Sequence, residues 1–348
     1  MVVLVPAGGC RSPLTAAPAA KPHPTLSGVD PDPRGCGGGP RSARFKPTLT
    51  YLAYRIGSGL ARALPEALAR PAAAVAGRFL GLVMRGRRQM LARHQRRVHG
   101  APMGEQELAR ALHRGFGSYA RYWLEAFRLP DETPETLTDR LVIDGLEHVD
   151  AALAAGRGVI LAAPHLGNWD QAGAWFAVHG YHPATVMEPL EPPALFEWFM
   201  AFRRRLGVEV LVLGPEAGSA ILRMLRDNRL VGLICDRDLG GRGVEVEFFG
   251  ERTTLPSGPA TLALRSGASV LPGAAYFGPG RSNFVVLRPP LDTTRRGSLR
   301  EDSVRITQQL AGELEGLIRR APDQWHLLQP NWPSDFAVAG RKRRPVLA

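Results

Sequence analysis

From about Leu141 the chain alternates short apolar runs with longer helical stretches, and that alternation leaves little choice of architecture. Val159–Ala162, Pro183–Val186, Glu209–Leu213, Val231–Cys235, Val244–Phe249, Ser269–Leu271 and Phe284–Leu287 read as strands. Helices fall between them at about 171–179, 192–206, 216–227, 259–266 and 299–320. Strand and helix in turn are the mark of an α/β fold, here a central, mostly parallel sheet flanked by helices. The chain contains no internal repeat, no P-loop, and no G-x-G-x-x-G between a strand and a helix.

One junction in this alternation carries chemistry. Gly158-Val-Ile-Leu-Ala-Ala-Pro164 runs into His165-Leu-Gly-Asn-Trp-Asp170 and then into an amphipathic stretch. A histidine at a strand end with a carboxylate five residues later is a minimal general-base unit. The imidazole takes a proton from a hydroxyl, and the carboxylate fixes its tautomer and stabilises the imidazolium. Five residues along one helix would set the two side chains about 140° apart. The pair therefore requires His165 in the turn and Asp170 in the first helical turn, with Gly167-Asn168 making the break. The blander alternative is that Asn168 or Asp170 caps the next helix and His165 is a satisfied polar residue at a strand end.

The 348 residues, 45% of them hydrophobic, suffice for one large domain or a core domain with an appendage. Formal net charge is +12, and the only lysines are Lys21, Lys46 and Lys342. Such an arginine bias, with abundant Ala, Gly and Pro, is what a GC-rich genome produces; the positive sign still favours anionic partners. Cys10, Cys36 and Cys235 make neither a metal cluster nor a disulfide framework, which points to a reducing compartment and no metal site. No apolar run approaches the roughly 18–20 residues of a membrane-spanning helix, and the opening segment lacks the build of a signal peptide.

Residues 1–43 are rich in Pro, Gly, Ala and Ser without periodicity, and read as disordered or as following a start codon placed too far upstream. From Thr50 to Leu129 the pattern is helical. A stripe over Tyr51–Leu64 breaks at Pro65, and an Ala-rich helix follows from Glu66 to Val83. Residues 84–98 then carry six arginines and no acid, before a third helix over Glu105–Phe127. The arginine run is a solvated helix face, a surface for anionic lipid, or, less well supported without a recognisable motif, a nucleic-acid contact. The tail from Ser334, with Arg341-Lys-Arg-Arg344, reads as basic and flexible.

Five blocks stand in order: Pro164–Asp170, Glu188-Pro-Leu190, Phe202-Arg-Arg-Arg-Leu-Gly207, Cys235-Asp-Arg-Asp-Leu239 with Val244–Gly250, and Pro256-Ser-Gly-Pro-Ala260. Together with Tyr119–Phe127 and the closing Gln324–Pro333, they resemble the bacterial family of late lipid A acyltransferases and phosphatidylinositol mannoside acyltransferases. The likeness covers most of residues 48–333. Asp at 170, Glu188-Pro-Leu, Asp-Arg-Asp-Leu and the Trp-His ending are more similar to the actinobacterial mannoside branch.

The resemblance implies a glycerolipid-acyltransferase-like domain over 44–333, with N-terminal helices over 44–129 that dock on a membrane. It implies a peripheral enzyme on the cytoplasmic face of the cell membrane that moves a fatty acyl group, such as palmitoyl, from acyl-CoA to a mannose hydroxyl. No cofactor beyond the co-substrate acyl-CoA is expected, and no nucleic acid. His165 would be the base, worth roughly 10²–10⁴-fold in rate, with Asp170 holding its ring. No Cys or Ser is placed as an acyl nucleophile, so direct transfer is expected, with oxyanion donors at the helix start after Asn168. Arg203, Arg242 and Arg265 match positions resembling acyl-CoA contacts, or are surface arginines in an Arg-rich chain. Glu188 and Asp236 are candidates for hydrogen bonds to sugar hydroxyls. Glu245 and Glu247 read as solvent-facing, Phe248 and Phe249 as core, and Ser257 as a helix cap. Acylation of another glycolipid or a lysophospholipid, and a non-catalytic basic membrane- or nucleic-acid-binding role, are the competing readings.

Overall fold

A computed structural model describes residues 48–338 apart from 101, 240 and 242. The expectations for 1–43, for Arg341–Arg344 and for Arg242 fall outside the described residues. Four helices come first: α1 (Leu49–Ala63), α2 (Glu66–Val83), α3 (Arg85–His99) and α4 (Glu105–Arg128). The chain continues through α5 (Pro134–Arg140), β1 (Leu141–Asp144), α6 (Leu146–Ala154), β2 (Val159–Ala163), α7 (Trp169–Val178), β3 (Ala184–Met187), α8 (Pro193–Arg205) and β4 (Glu209–Val212). It closes with α9 (Ala217–Arg226), β5 (Leu230–Ile234), β6 (Val244–Phe248), β7 (Glu251–Leu255), α10 (Gly258–Ser266), β8 (Ser269–Phe277), β9 (Asn283–Leu287), α11 (Leu299–Arg320) and α12 (Pro333–Val338).

Seven strands form one sheet in the order β1-β9-β8-β2-β5-β3-β4. β8, β2, β5, β3 and β4 are parallel, and β9 turns back antiparallel to β8 with β1 parallel to it. Alternate residues of each strand feed opposite faces. Ile160 and Ala162 pack with α9, α10 and α11, whereas Val159 packs with α6 and α7. Both faces are covered, so the central strands are mostly apolar; all nine residues of β8 are buried.

The β1 and β7 strands and helices α5 and α6 carry no strong sequence signal. β7 (Glu-Arg-Thr-Thr-Leu) is polar because it pairs with β6 in a two-stranded hairpin outside the sheet. In that hairpin Glu245 and Glu247 face solvent and Phe248 and Phe249 are buried, as expected. Phe248 stacks on Trp332 at 5.6 Å, so the hairpin seats the C-terminal segment. Ser257 stands at the N-cap of α10 but makes no side-chain capping bond there.

Two readings of the charged segments need correction. The arginine run of residues 84–98 lies on α3, bent 100° from α2, and it is not simply a solvated face. Arg93 (2.6 Å), Arg97 (2.9 Å) and His94 (3.3 Å) converge on the buried carboxylate of Asp335. Asp335 also accepts the main-chain N–H groups of Asn331 and Trp332. The start of the supposed flexible tail is therefore helix α12, held by a buried ion cluster. These bonds keep Asp335 ionised far below the usual carboxylate range, against the upward push of burial.

Candidate functional site

Strands β2 and β5 are neighbours, with Ala163 opposite Ile234. His165 and Asp236 each lie two residues past those partners, so both emerge together at the carboxyl edge of the sheet, the usual place for a ligand crevice in a parallel sheet. Asp236 Oδ1 lies 2.6 Å from His165 Nδ1. Its Oδ2 accepts the main-chain N–H of His165 at 2.9 Å and the indole N–H of Trp325 at 2.7 Å. The ring partner of His165 is thus Asp236, not Asp170. With Nδ1–H committed to a carboxylate, Nε2 carries the free lone pair, and the half-exposed imidazole can present it to a hydroxyl.

Asp236 is fully buried. Burial alone would raise its pKa, but the adjacent imidazole and the three donors outweigh it and hold the carboxyl below its usual value. Its oxygens are spent on these protein donors, so the expectation that Asp236 binds a sugar hydroxyl does not survive.

The turn between β2 and α7 is built for this geometry. Gly167 has φ +58, and a Cβ there would meet the carbonyl oxygen of Ala275 at 2.2 Å. Only glycine fits without shifting β8. Asn168 caps α7 by accepting Gln171 N–H at 3.1 Å. Its amide also donates to Glu125, as does that of Asn283.

Asp170 lies in the first turn of α7, as the spacing required, but its partners are other side chains. It accepts the Tyr122 hydroxyl at 2.7 Å and Arg203 Nε at 2.9 Å. Burial, and then the Asp170 charge, push the Tyr122 hydroxyl well above its ordinary pKa. Arg203 is therefore half of a buried ion pair, its Nη1 against Met187 Sδ, and not a free fork for phosphate. Arg265 lies in the last turn of α10, four residues before Ser269, which pairs with Val159 at the start of β2. It is exposed at the opposite end of the sheet from His165.

Glu188, one residue past β3, does lie at the carboxyl edge and is partly exposed. It pairs with Arg237 Nη2 at 3.3 Å. Arg237 is a residue the sequence reading passed over; burial lowers its pKa, opposed by the nearby Glu188 and Asp236. His326 was also passed over. Its ring is buried beside Tyr122 and Trp169 with Nε2 at 2.9 Å from Ser118 Oγ. Burial, helped by the proximity of His165, lowers its pKa to about 3. Cys235 is buried, and burial with the adjacent Asp236 pushes its thiol far up, so it is no nucleophile. Among the described residues no cluster of His, Cys, Asp and Glu suits a metal ion.

The chain is 41% identical over 301 residues to a phosphatidylinositol mannoside acyltransferase of Mycolicibacterium smegmatis, covering 85% of this chain and 95% of that protein. It is 41% identical over 310 residues to the protein of that name from Mycobacterium tuberculosis H37Rv, covering 87% and 94%. A lipid A biosynthesis acyltransferase of Haemophilus influenzae is 23% identical over 224 residues, 64% of this chain and 68% of that one. The bacterial lipid A biosynthesis acyltransferase model matches residues 41–334. On that match the chain belongs to the bacterial lipid A biosynthesis acyltransferase family and is an enzyme that acylates lipids.

Proposed function

We propose that this enzyme transfers a fatty acyl group, palmitoyl in the first instance, from acyl-CoA to a mannose hydroxyl of a phosphatidylinositol mannoside. The observation that carries the reading is the His165–Asp236 pair at 2.6 Å, which engages Nδ1 of a partly exposed ring and leaves Nε2 to act. The names of the 41%-identical mycobacterial relatives supply the acceptor. His165 Nε2 removes the proton of the acceptor hydroxyl as its oxygen attacks the thioester carbonyl. The tetrahedral intermediate collapses, the C–S bond breaks, and the imidazolium returns the proton to the departing thiolate. The start of α7, four residues past the base, offers partial positive charge to the developing oxyanion. With Cys235 buried and its thiol held neutral, direct transfer is preferred to an acyl-enzyme. In this reading Glu188 and its ion-pair partner Arg237 meet the acceptor's hydroxyls and phosphate.

The reaction takes place on the cytoplasmic surface of an anionic membrane. No single described helix is long and apolar enough to cross a bilayer. Helices α1 and α2 instead turn large apolar residues outward, among them Leu49, Ile56, Leu60, Leu68, Val75, Phe79 and Leu82. Their small residues turn inward: Ala69, Ala73, Gly77 and Gly81 are buried, and a Cβ at Gly77 would meet Phe116 O at 2.7 Å. That arrangement suits helices lying in the bilayer interface, with the exposed arginines of α3 nearby for headgroups.

Radiolabelled palmitoyl-CoA with a panel of mannosylated phosphatidylinositols, beside a His165→Ala control, tests the reading. Label in a mannoside with wild type only is the expected result. Label appearing instead in a lysophospholipid or another glycolipid would move the acceptor. No turnover on any acceptor by folded, membrane-bound protein would overturn the proposal.

A further inference from the structure

The C-terminal segment around Trp325 holds both halves of the His165–Asp236 pair. Leu166 and Trp325 form an isolated antiparallel bridge. Gly167 N–H donates to Gln324 O at 3.0 Å, and His326 N–H donates to His165 O at 2.7 Å. From the same segment Trp325 Nε1–H reaches Asp236 Oδ2, and Asn331 Nδ2 donates to the main-chain oxygen of Asp236 at 3.0 Å. The far end is anchored by the Asp335 cluster on α3. The indole itself is buried among Phe248, Phe249, Trp332 and His94.

Packing alone would be served by any large aromatic ring. What tryptophan brings and phenylalanine lacks is an N–H donor, and that donor is spent on the carboxylate bonded to His165. A carboxylate with two oxygens and one ring partner can swing about Cβ–Cγ. The indole and the His165 main-chain N–H together lock Oδ2, which leaves Oδ1 aimed at Nδ1. We infer that Trp325 is a positioning residue of the acyl transfer: acting through Asp236, its N–H aims Oδ1 at His165 and tempers the carboxylate's pull on the ring proton. The inference rests on His165 being the general base.

The charged and titratable groups facing the pair are His165 from the β2–α7 turn, Cys235 and Arg237 beside Asp236, and Glu188 beyond Arg237. His326 lies beyond His165, and His94 stands behind the indole. Trp325→Phe leaves all of them in place and removes only the donor and the outer ring. Without the donor Asp236 becomes more basic, so it stabilises the imidazolium of His165 more strongly. The acid limb of kcat/KM should therefore move to higher pH, by roughly half a unit. kcat on the plateau should fall about tenfold, within the hundredfold that a 1 Å misplacement costs, with KM for both substrates unchanged. A purely structural tryptophan would lower Tm and leave the pH profile where it was. Superimposable wild-type and Trp325→Phe profiles would overturn the inference.

A second reading needs no variant of Trp325. In wild-type protein labelled with ¹⁵N-tryptophan, the Trp325 indole N–H resonance should titrate with the midpoint of His165 and lose that titration in His165→Ala. A pH-silent indole in the wild type would equally overturn the inference. Failure of the underlying reading looks different: His165→Ala would then keep wild-type turnover, whatever Trp325 does.

Discussion

Replacing Asp236 by Asn tests the site most severely, because the structure dictates how the amide must sit. Asp236 Oδ2 accepts two fixed donors, the His165 main-chain N–H at 2.9 Å and the Trp325 indole at 2.7 Å. In the Asn variant the amide oxygen must take that place; an NH2 group there would face two N–H groups and lose both bonds. The amide NH2 then occupies the Oδ1 position, 2.6 Å from His165 Nδ1 in the wild type. A donor at that position forces Nδ1 to accept, so the proton moves to Nε2. The base now offers a hydrogen to the substrate hydroxyl instead of a lone pair. An inverted tautomer of this kind lowers kcat by about 10⁴-fold, a barrier increase of about 5 kcal/mol. The assay is steady-state transfer of labelled palmitate, with circular dichroism and a thermal melt to show that the variant is folded. Folded Asp236→Asn protein retaining more than about a tenth of wild-type kcat would refute the reasoning, and the case against it would be stronger if Asp170→Asn proved the more damaging change.

Asp170→Ala should act first on stability, since it strands Arg203 and the Tyr122 hydroxyl without their acceptor; a loss of about 3–5 kcal/mol is expected in urea titration. Asp170→Leu combined with Arg203→Met should recover part of that loss. His326 predicts a pH effect of definite sign. Its native imidazole stays neutral down to about 3, whereas the unfolded one takes its proton near 6.5. Between those values the unfolded state binds more protons, so stability falls as the pH drops from 6.5. The slope of Tm against pH in that window should flatten in His326→Phe, and an unchanged slope would count against the buried neutral ring. Phe79→Glu with Leu82→Glu should cut flotation with anionic vesicles at least tenfold, since each side chain removed from lipid forfeits about 1.5–3 kcal/mol. Turnover on detergent-dispersed acceptor should stay near wild type.

Much of this protein is determined by local pattern. Alternating apolar runs and amphipathic stretches predict an α/β sheet, and five of its central helices lie within a few residues of their expected bounds, because burial on both sheet faces leaves a strong periodic trace. The placement of the proposed base is local too: a strand end, a glycine that must take φ +58 and a helix cap place His165 in a turn. Its partner is not local. Asp170 is five residues away and lies in the expected helical turn, yet Asp236, 71 residues on, makes the bond. Only the pairing of β2 with β5 brings that carboxylate to the same edge. Trp325 and Asn331 arrive from farther still, carried by a segment that α3 and the β6–β7 hairpin hold in place.

The charges divide along the same line. Composition alone makes the chain basic, but which arginines stay free is a tertiary matter. Arg93, Arg97 and Arg203 are consumed by buried carboxylates that no spacing along the chain connects to them. Side-chain type and short-range period are properties of neighbours in sequence. Ion pairing and the aim of a carboxylate are properties of neighbours in space, and those exist only once the sheet has closed the distance.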